Sequence, residues 1–304
     1  MHPKTLIVIV GPTAIGKTEL AIKVAQHSNT EIISADSRQF YKEMSIGTAK
    51  PSGDELQAVK HHFIDSHSIH EEFTVGDFEA QALSTLNIIF QSEEVAVLVG
   101  GSGLFIKAIT EGFDNLPKAE PGLRQDLNRL FDQEGILPLQ EKLKELDPVY
   151  YQEVDLYNPQ RIIRALGVSI SSGQPYSSFR SHQIQTRPFN IIKIGLNTQR
   201  ETLYNRINAR VDNMINAGLI NEVKSLLPYK HHNALNTVGY SEIFDALYGN
   251  LSMEVAIQNI KQNTRRFAKR QLTWFRKDVE IKWFEPEEKD QVLTYISTRP
   301  QETK

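Results

Sequence analysis

Gly11-Pro12-Thr13-Ala14-Ile15-Gly16-Lys17-Thr18 constrains the fold of this chain more than any other stretch. It satisfies the pattern G-x-x-x-x-G-K-[ST] at every fixed position. The apolar run 6–10 ahead of it reads as a buried strand, and residues 17–26 behind it read as a helix. A glycine-rich turn between strand and helix aims backbone N–H groups and a helix N-terminus at one point, which attracts an oxyanion. In that geometry Lys17 reaches the terminal phosphates of a polyphosphate, and the Thr18 hydroxyl holds Mg²⁺. The octet sets a fold class and one ligand class. It does not name the polyphosphate or what is done with it.

The runs 6–10, 31–34 and 95–99 read as strands, each followed by Gly, Ser or Asp, with a helical stretch at 78–90 before the third. Strands alternating with helices predict an α/β fold, a parallel P-loop NTPase-like sheet flanked by helices. Ligands of such sheets sit beyond the carboxyl ends of the strands. The candidate site residues are therefore 11–18, Asp36-Ser37-Arg38-Gln39 and Gly100-Gly101-Ser102-Gly103. From about residue 116 the pattern changes. Pro117, Pro121, Pro138, Pro148 and Pro159 punctuate short helical stretches, with a helix start at Asn158-Pro159 and a stop at Gly173. Residues 190–196 read as a strand again. The prediction is a core of 1–115 and 190–304 with a helical insertion over 116–189.

With 304 residues, 40% hydrophobic and 23% charged, the chain can bury a sizeable core. It has no cysteine, which excludes disulfides, thiolate metal sites and a cysteine nucleophile and fits a reducing compartment. Residues 1–4 run straight into the first strand, so no signal peptide is expected. No apolar run approaches the ~18 residues of a membrane span. The net charge of −3 carries no global signal for nucleic acid; the distribution of charge does.

Asp36 falls at the end of the second strand, where a carboxylate can bind Mg²⁺, accept a proton from an acceptor substrate, or cap the following turn. The third strand ends in Gly100-Gly101-Ser102-Gly103-Leu104, without the Asp that a hydrolytic P-loop enzyme uses for Mg²⁺. Such a turn admits a second molecule close to the backbone, or is simply tight. Arg206 and Arg210 share one helix face; taken alone, the pair reads as solvated surface, although two guanidiniums also suit a diphosphate. Arg161 and Arg164 make a basic ridge at a helix start, which suits an anion or is simply a solvated face. Residues 261–277 hold seven basic side chains and no acidic one, interleaved with Phe267, Trp274 and Phe275, a pattern that suits phosphate contacts with base stacking. His61-His62 are adjacent and lack a third ligand at metal spacing, so a structural role is expected.

Taken together these blocks resemble the tRNA dimethylallyltransferases, also called isopentenyl-diphosphate:tRNA transferases. The resemblance runs from the first strand to about Trp283. It rests on 11–18, Asp36-Ser37-Arg38-Gln39-Phe40-Tyr41, Gly47-Thr48-Ala49-Lys50-Pro51, His61-His62, Phe73-Thr74-Val75-Gly76-Asp77-Phe78 and Gly100-Gly101-Ser102-Gly103-Leu104. It continues through Asn158-Pro159-Gln160-Arg161, Val238-Gly239-Tyr240 and residues 264–276. The departures are Ile15 where the family commonly has Ser, Ser102 for Thr, Leu104-Phe105 for Leu-Tyr, and Ser241 for a basic residue.

The resemblance implies transfer of a dimethylallyl group from dimethylallyl diphosphate to N6 of adenosine 37, beside the anticodon of tRNAs that read codons beginning with U. A loop of the nucleotide-binding, ATP-binding type would here grip an isoprenoid diphosphate. On that reading Asp36 is the general base and Thr13 sits over the diphosphate. Lys17, Mg²⁺ on Thr18, and Arg206 or Arg210 stabilise the leaving group. Ser37 and Gln39 hold the base, Arg38 contacts the tRNA, Ser102 lines the passage of the base and Arg124 lies at its mouth. Gln160, Arg161, Ile162, Ile163 and Arg164, with Lys269 and Arg270, hold the tRNA, and the insertion clasps the anticodon stem-loop. A cytoplasmic monomer with no membrane contact is implied. A small-molecule kinase of the P-loop class shares the loop and the Asp, but leaves the two basic clusters without a role.

Overall fold

Aliphatic residues fill the first strand on both sides. In β1 (Thr5–Val10) Leu6, Ile7, Val8 and Ile9 are wholly buried, as in a strand covered on both faces. Alternation then divides them. Ile7 and Ile9 enter one apolar core, while Leu6, Val8 and Val10 enter another on the opposite face. The structure is a computed structural model and describes residues 4–298 apart from 115, 118 and 181–183; the expectation about a signal peptide concerns residues 1–3, outside that range.

β2 (Ile32–Ser34), β3 (His61–His62), β4 (Val95–Gly100), β5 (Asn190–Leu196) and β6 (Lys282–Phe284) complete one parallel sheet in the order β3-β2-β4-β1-β5-β6. Val10 pairs with Gly100 on one side and Gly195 on the other, so these strands end level. Two strands escape sequence patterning. β3 and β6 are too short to make an apolar run and exist through pairing with β2 and β5. Both histidines of β3 contact neighbouring groups: His61 Nδ1 lies 2.8 Å from the Val59 carbonyl and His62 Nε2 2.5 Å from a Glu31 carboxylate oxygen.

Helices α1 (Lys17–His27), α2 (Gly53–Ala58), α3 (Val75–Ser92) and α4 (Gly103–Glu111) belong to the first half of the sheet unit. α1 covers one face; α3 and α4 cover the other. Ser52 with Glu55 and Thr74 with Asp77 form capping boxes that start α2 and α3. Gly112–Gln185 is a separate compact unit built from α5 (Leu123–Glu134), α6 (Leu137–Leu146), α7 (Pro148–Glu153) and α8 (Pro159–Ser172) around Leu127, Leu139, Leu143, Ile162 and Leu166. Asn158 caps α8 through the Arg161 N–H and left-handed Gly173 stops it, as its sequence predicts. The sheet unit resumes at Thr186, a little before residue 190, because Arg187 donates to the carbonyls of Ala108 and Ile109 and pairs with Glu79. It is completed by α9 (Arg200–Asn216), α10 (Leu219–Ser225), α11 (Ser241–Leu247), α12 (Met253–Phe275) and α13 (Lys289–Thr298). No helix among the described residues is long and apolar enough to cross a membrane.

One close approach of backbone to backbone lies at the carboxyl edge of the sheet. A Cβ on Gly100 would stand 2.3 Å from the carbonyl oxygen of Ala35 and 2.6 Å from its carbon. Neither backbone can yield, because the Ala35 N–H is bonded to the Val99 carbonyl at 2.7 Å. Gly100→Ala is expected to destabilise the protein by about 1–3 kcal/mol, the usual cost of overpacking, read as a lowered urea midpoint at unchanged slope.

Candidate active site

β1 leads through Gly11, at φ +149°, into the loop, and left-handed Gly16 opens α1. Gly11 and Pro12 are buried beneath the loop. The Ile15 side chain is buried in the core with Leu20 and Leu203, so the departure at Ile15 faces the interior. Thr13 to Thr18 line a cavity of about 420 Å³ with Asp36, Gln39, Thr48, Ala49, Lys50, Arg206, Arg210, Phe267 and Gln271. The loop and the residues after β2 thus share one space, as a parallel sheet requires.

Three cations converge there. The Lys17 ammonium folds onto the Pro12 carbonyl at 2.8 Å. Burial pulls its pKa down to about 8; Asp36 opposes the shift and Arg210 adds to it. Arg210 donates to Thr13 Oγ1 at 3.2 Å and to the Ala49 carbonyl at 3.4 Å. Its burial lowers its pKa from the usual arginine value, while Asp36 and Glu55 favour its charge. Arg206 donates to the Ile15 carbonyl at 3.4 Å and pairs with Glu287 at 2.8 Å. The solvated-face reading of this pair is corrected: α9 packs its arginine face onto the loop. A face that must touch polar backbone and leave room for an anion needs long charged donors.

Asp36 stands two residues beyond the end of β2. One carboxylate oxygen accepts from the Arg38 N–H at 3.1 Å, and no donor among the described residues holds the other. The capping and cavity-facing readings of Asp36 therefore coexist. Ser102 Oγ accepts from the Ser37 N–H at 3.2 Å and lies 3.3 Å from its hydroxyl, which brings the second and fourth strand ends together. The Arg38 side chain reaches the Asn233 carbonyl at 3.3 Å. Gln39 spends both amide hydrogens on the carbonyls of Thr48 and Ala49, at 3.1 and 3.0 Å, and is a fastener of that loop.

The remaining predicted residues lie elsewhere. In the helical unit Arg124, Gln160, Arg161 and Arg164 are exposed, with Arg124 donating to Gln160 at 3.4 Å. Ile162 and Ile163 are core residues of α8, so their side chains meet no partner; the pairing of ridge and core is the two-faced pattern of a helix. On α12 the basic stretch divides. Lys261 pairs with Asp212 and Arg265 with Asn208, both 2.6 Å away on α9. Lys269 and Arg270 are exposed and line a second depression with Arg266, Thr273, Trp274 and Lys277.

Sequence reasoning passed over Gln271 and Glu222. Gln271 joins the loop to Gly101 and is buried. Glu222 accepts the N–H groups of Ser45, Ile46 and Gly47 at 2.7–3.1 Å and the Tyr240 hydroxyl at 2.6 Å. Glu222 shows no local signal; Gln271 was legible only as a polar residue on the apolar side of an otherwise basic helix.

Fold and loop define a phosphate-loop α/β protein with a cationic cavity at the strand ends. A family model described as IPP transferase matches residues 39–278. The tRNA dimethylallyltransferase of Christiangramia forsetii is 57% identical over 295 residues, covering 97% of this chain and 98% of the relative. That of Flavobacterium johnsoniae is 50% identical over 300 residues, covering 96% and 97%. The crystal structure of the full-length tRNA isopentenylpyrophosphate transferase from Bacillus halodurans superposes with a TM-score of 0.72 at 36% identity over 97% of this chain and 96% of that one. A eukaryotic dimethylallyltransferase acting on tRNA shares the fold, with a TM-score of 0.80 at 24% identity over 99% of this chain and 81% of its own. The chain belongs to the IPP transferase family and is an enzyme of the prenyltransferase class.

Lys17 is half charged near pH 8, mostly charged a unit or more below it and mostly neutral a unit or more above, while a bound anion favours the charged form. Affinity for inorganic pyrophosphate is therefore expected to fall as pH rises through about 8. Calorimetry of the native protein and Lys17→Met separates this from the ligand's own titration: the variant binds more weakly and shows the shallower fall.

Proposed function

We propose that this protein transfers the dimethylallyl group of dimethylallyl diphosphate to the exocyclic N6 of adenosine 37 in tRNA, releasing diphosphate. The names of the relatives support the reaction class. The observation that carries the chemistry is that one cavity holds Lys17, Arg206, Arg210 and the unshared oxygen of Asp36. Cations at one side suit a leaving diphosphate, and a carboxylate suits an amine that must lose a proton.

An adenine amino group is a weak nucleophile because its lone pair is delocalised into the ring. Asp36 orients it and takes a proton as the N–C bond forms. The allylic C–O bond breaks and its electron pair leaves with the diphosphate, whose growing charge is met by Lys17, Arg206, Arg210 and the loop N–H groups. Thr18 lines the same cavity, and its hydroxyl makes no hydrogen bond to the described residues, so it fits Mg²⁺, which takes hard oxygen ligands and keeps waters and phosphate oxygens as the rest. When bound there, Mg²⁺ supplies further charge neutralisation on the diphosphate. The target base leaves its stack to reach Asp36. Ser37 and Ser102 border that entry. Arg124, Gln160, Arg161 and Arg164 in the helical unit, and Lys269 and Arg270 on α12, suit the phosphates of an anticodon stem-loop.

Incubation with Mg²⁺, unmodified tRNA and dimethylallyl diphosphate, followed by digestion and mass analysis of the nucleosides, should give a prenylated adenosine mapped to position 37. Unchanged nucleosides, with ATP consumed in a parallel reaction, would refute the reading in favour of a kinase. Asp36→Ala is expected to lower kcat by at least about 100-fold, the usual scale of general base catalysis, while tRNA binding in a filter assay stays near native. Weakened tRNA binding with native kcat at saturating tRNA would remove Asp36 from the role of base.

A further inference from the structure

Gln271 lies on α12 among exposed neighbours, yet only 6% of its surface is accessible. A buried primary amide must place both ends on partners or lose the free energy of its desolvation. Both ends go to backbone. The amide oxygen accepts the Thr13 N–H at 2.9 Å, and the amide nitrogen donates to the Gly101 carbonyl at 2.9 Å. Thr13 belongs to the phosphate loop after β1, and Gly101 to the turn after β4. The fit at the second end is close: a Cβ on Gly101 would stand 2.2 Å from the Gln271 amide nitrogen. Thr13 passes the restraint on, because its hydroxyl accepts from Arg210 at 3.2 Å.

We infer that Gln271 is a positioning residue for the diphosphate site: it locks the phosphate loop to the turn after β4 and so fixes Thr13 and, through Thr13, Arg210. The inference rests on the reading of this cavity as the diphosphate site. Among the described residues Gln271 is the one side chain that hydrogen-bonds to both turns, and it carries no charge, so it can hold the loop without competing for the anion. Its inward direction also separates it from Lys269 and Arg270, which face solvent on the same helix. A fault at Gln271 should thus register on the diphosphate and leave the outer basic face unaffected.

Inorganic pyrophosphate binding by calorimetry and tRNA binding by filter assay test this on the full chain. Gln271→Met keeps the bulk and removes both hydrogen bonds. Its affinity for pyrophosphate should fall about tenfold, the equivalent of one net buried hydrogen bond, with tRNA affinity within about twofold of native, as for independent sites. In turnover the KM for the isoprenoid diphosphate should rise while that for tRNA holds. Gln271→Glu keeps the acceptor for Thr13 and sets an oxygen against the Gly101 carbonyl; protonation of the new carboxyl restores a donor. Its pyrophosphate affinity, relative to native, should recover as pH is lowered, whereas that of Gln271→Met should not. Native pyrophosphate affinity in Gln271→Met overturns the inference, and so does weakening in Gln271→Glu alone, which would mark a charge effect. Should Gln271→Met fail to fold, Gln271→Asn replaces it: an uncharged amide one methylene shorter cannot reach both turns, and native pyrophosphate affinity in that variant overturns the inference. If the native protein binds no pyrophosphate, the diphosphate-site reading fails first and the inference falls with it.

Discussion

Parallel pairing of β4, β1 and β5 is the constraint from which the site follows. Parallel strands deliver every carboxyl end to one edge, and the level register of Val10 with Gly100 and Gly195 brings their turns together there. Backbones meet so closely at that edge that Gly100 has no room for a side chain beside Ala35. Side chains from more distant helices supply what the turns lack. α9 brings two arginines to the loop, and α12 brings the amide that joins the loop to the next turn.

The cavity concentrates positive charge at a cost. Burial disfavours the charge of Lys17 and Arg210, and Arg210 adds to the effect on Lys17, which is why the pKa of Lys17 falls to about 8 and that of Arg210 below its usual value. Asp36 offsets part of this. A polyanion would relieve the rest, so the charges of the cavity favour one before any shape is considered. Arg210 is held by a segment that is itself fastened by hydrogen bonds. Ala49 takes a hydrogen bond from Arg210, Gln39 grips Thr48 and Ala49, and Glu222 gathers the three N–H groups just before them. Burial and the adjacent Glu222 carboxylate push the pKa of the Tyr240 hydroxyl well above its usual value, so it remains a donor to Glu222.

What was legible in the sequence depended on whether the signal was local. The octet at 11–18 with its flanking periodicity announced strand, turn and helix, because each needs only neighbouring residues. Asn158-Pro159 and Gly173 bounded α8 for the same reason. β3 and β6 were silent because two or three residues carry no period and their strand state comes from partners far along the chain. Arg206 and Arg210 were visible as one face, but the sequence could not say whether that face met water or the loop 191 residues away. Gln271 and Glu222 were missed on the same principle: each acts on backbone N–H or carbonyl groups, which leave no trace in residue identity. Ile162 and Ile163, included for their neighbours in a motif, belong to the core of their helix.

The basic stretch of α12 shows how one helix can serve several surfaces. Lys261 and Arg265 turn to α9 and find an acid and an amide there. Ala268, Gln271 and Phe275, at intervals of three and four, turn inward to the two cores and the phosphate loop. Arg266, Lys269, Arg270, Trp274 and Lys277 are left to solvent. The stretch lacks acidic residues for two separate reasons. On the α9 side an acid would face Asp212, and beside the cavity it would cancel the field that draws in an anion. On the outer row, cations with no acidic partner among the described residues, beside an exposed indole, keep the surface open to a polyanion that can also stack. Composition alone reports a single basic run; the helical period resolves it into one structural face, one loop-holding face and one exposed face.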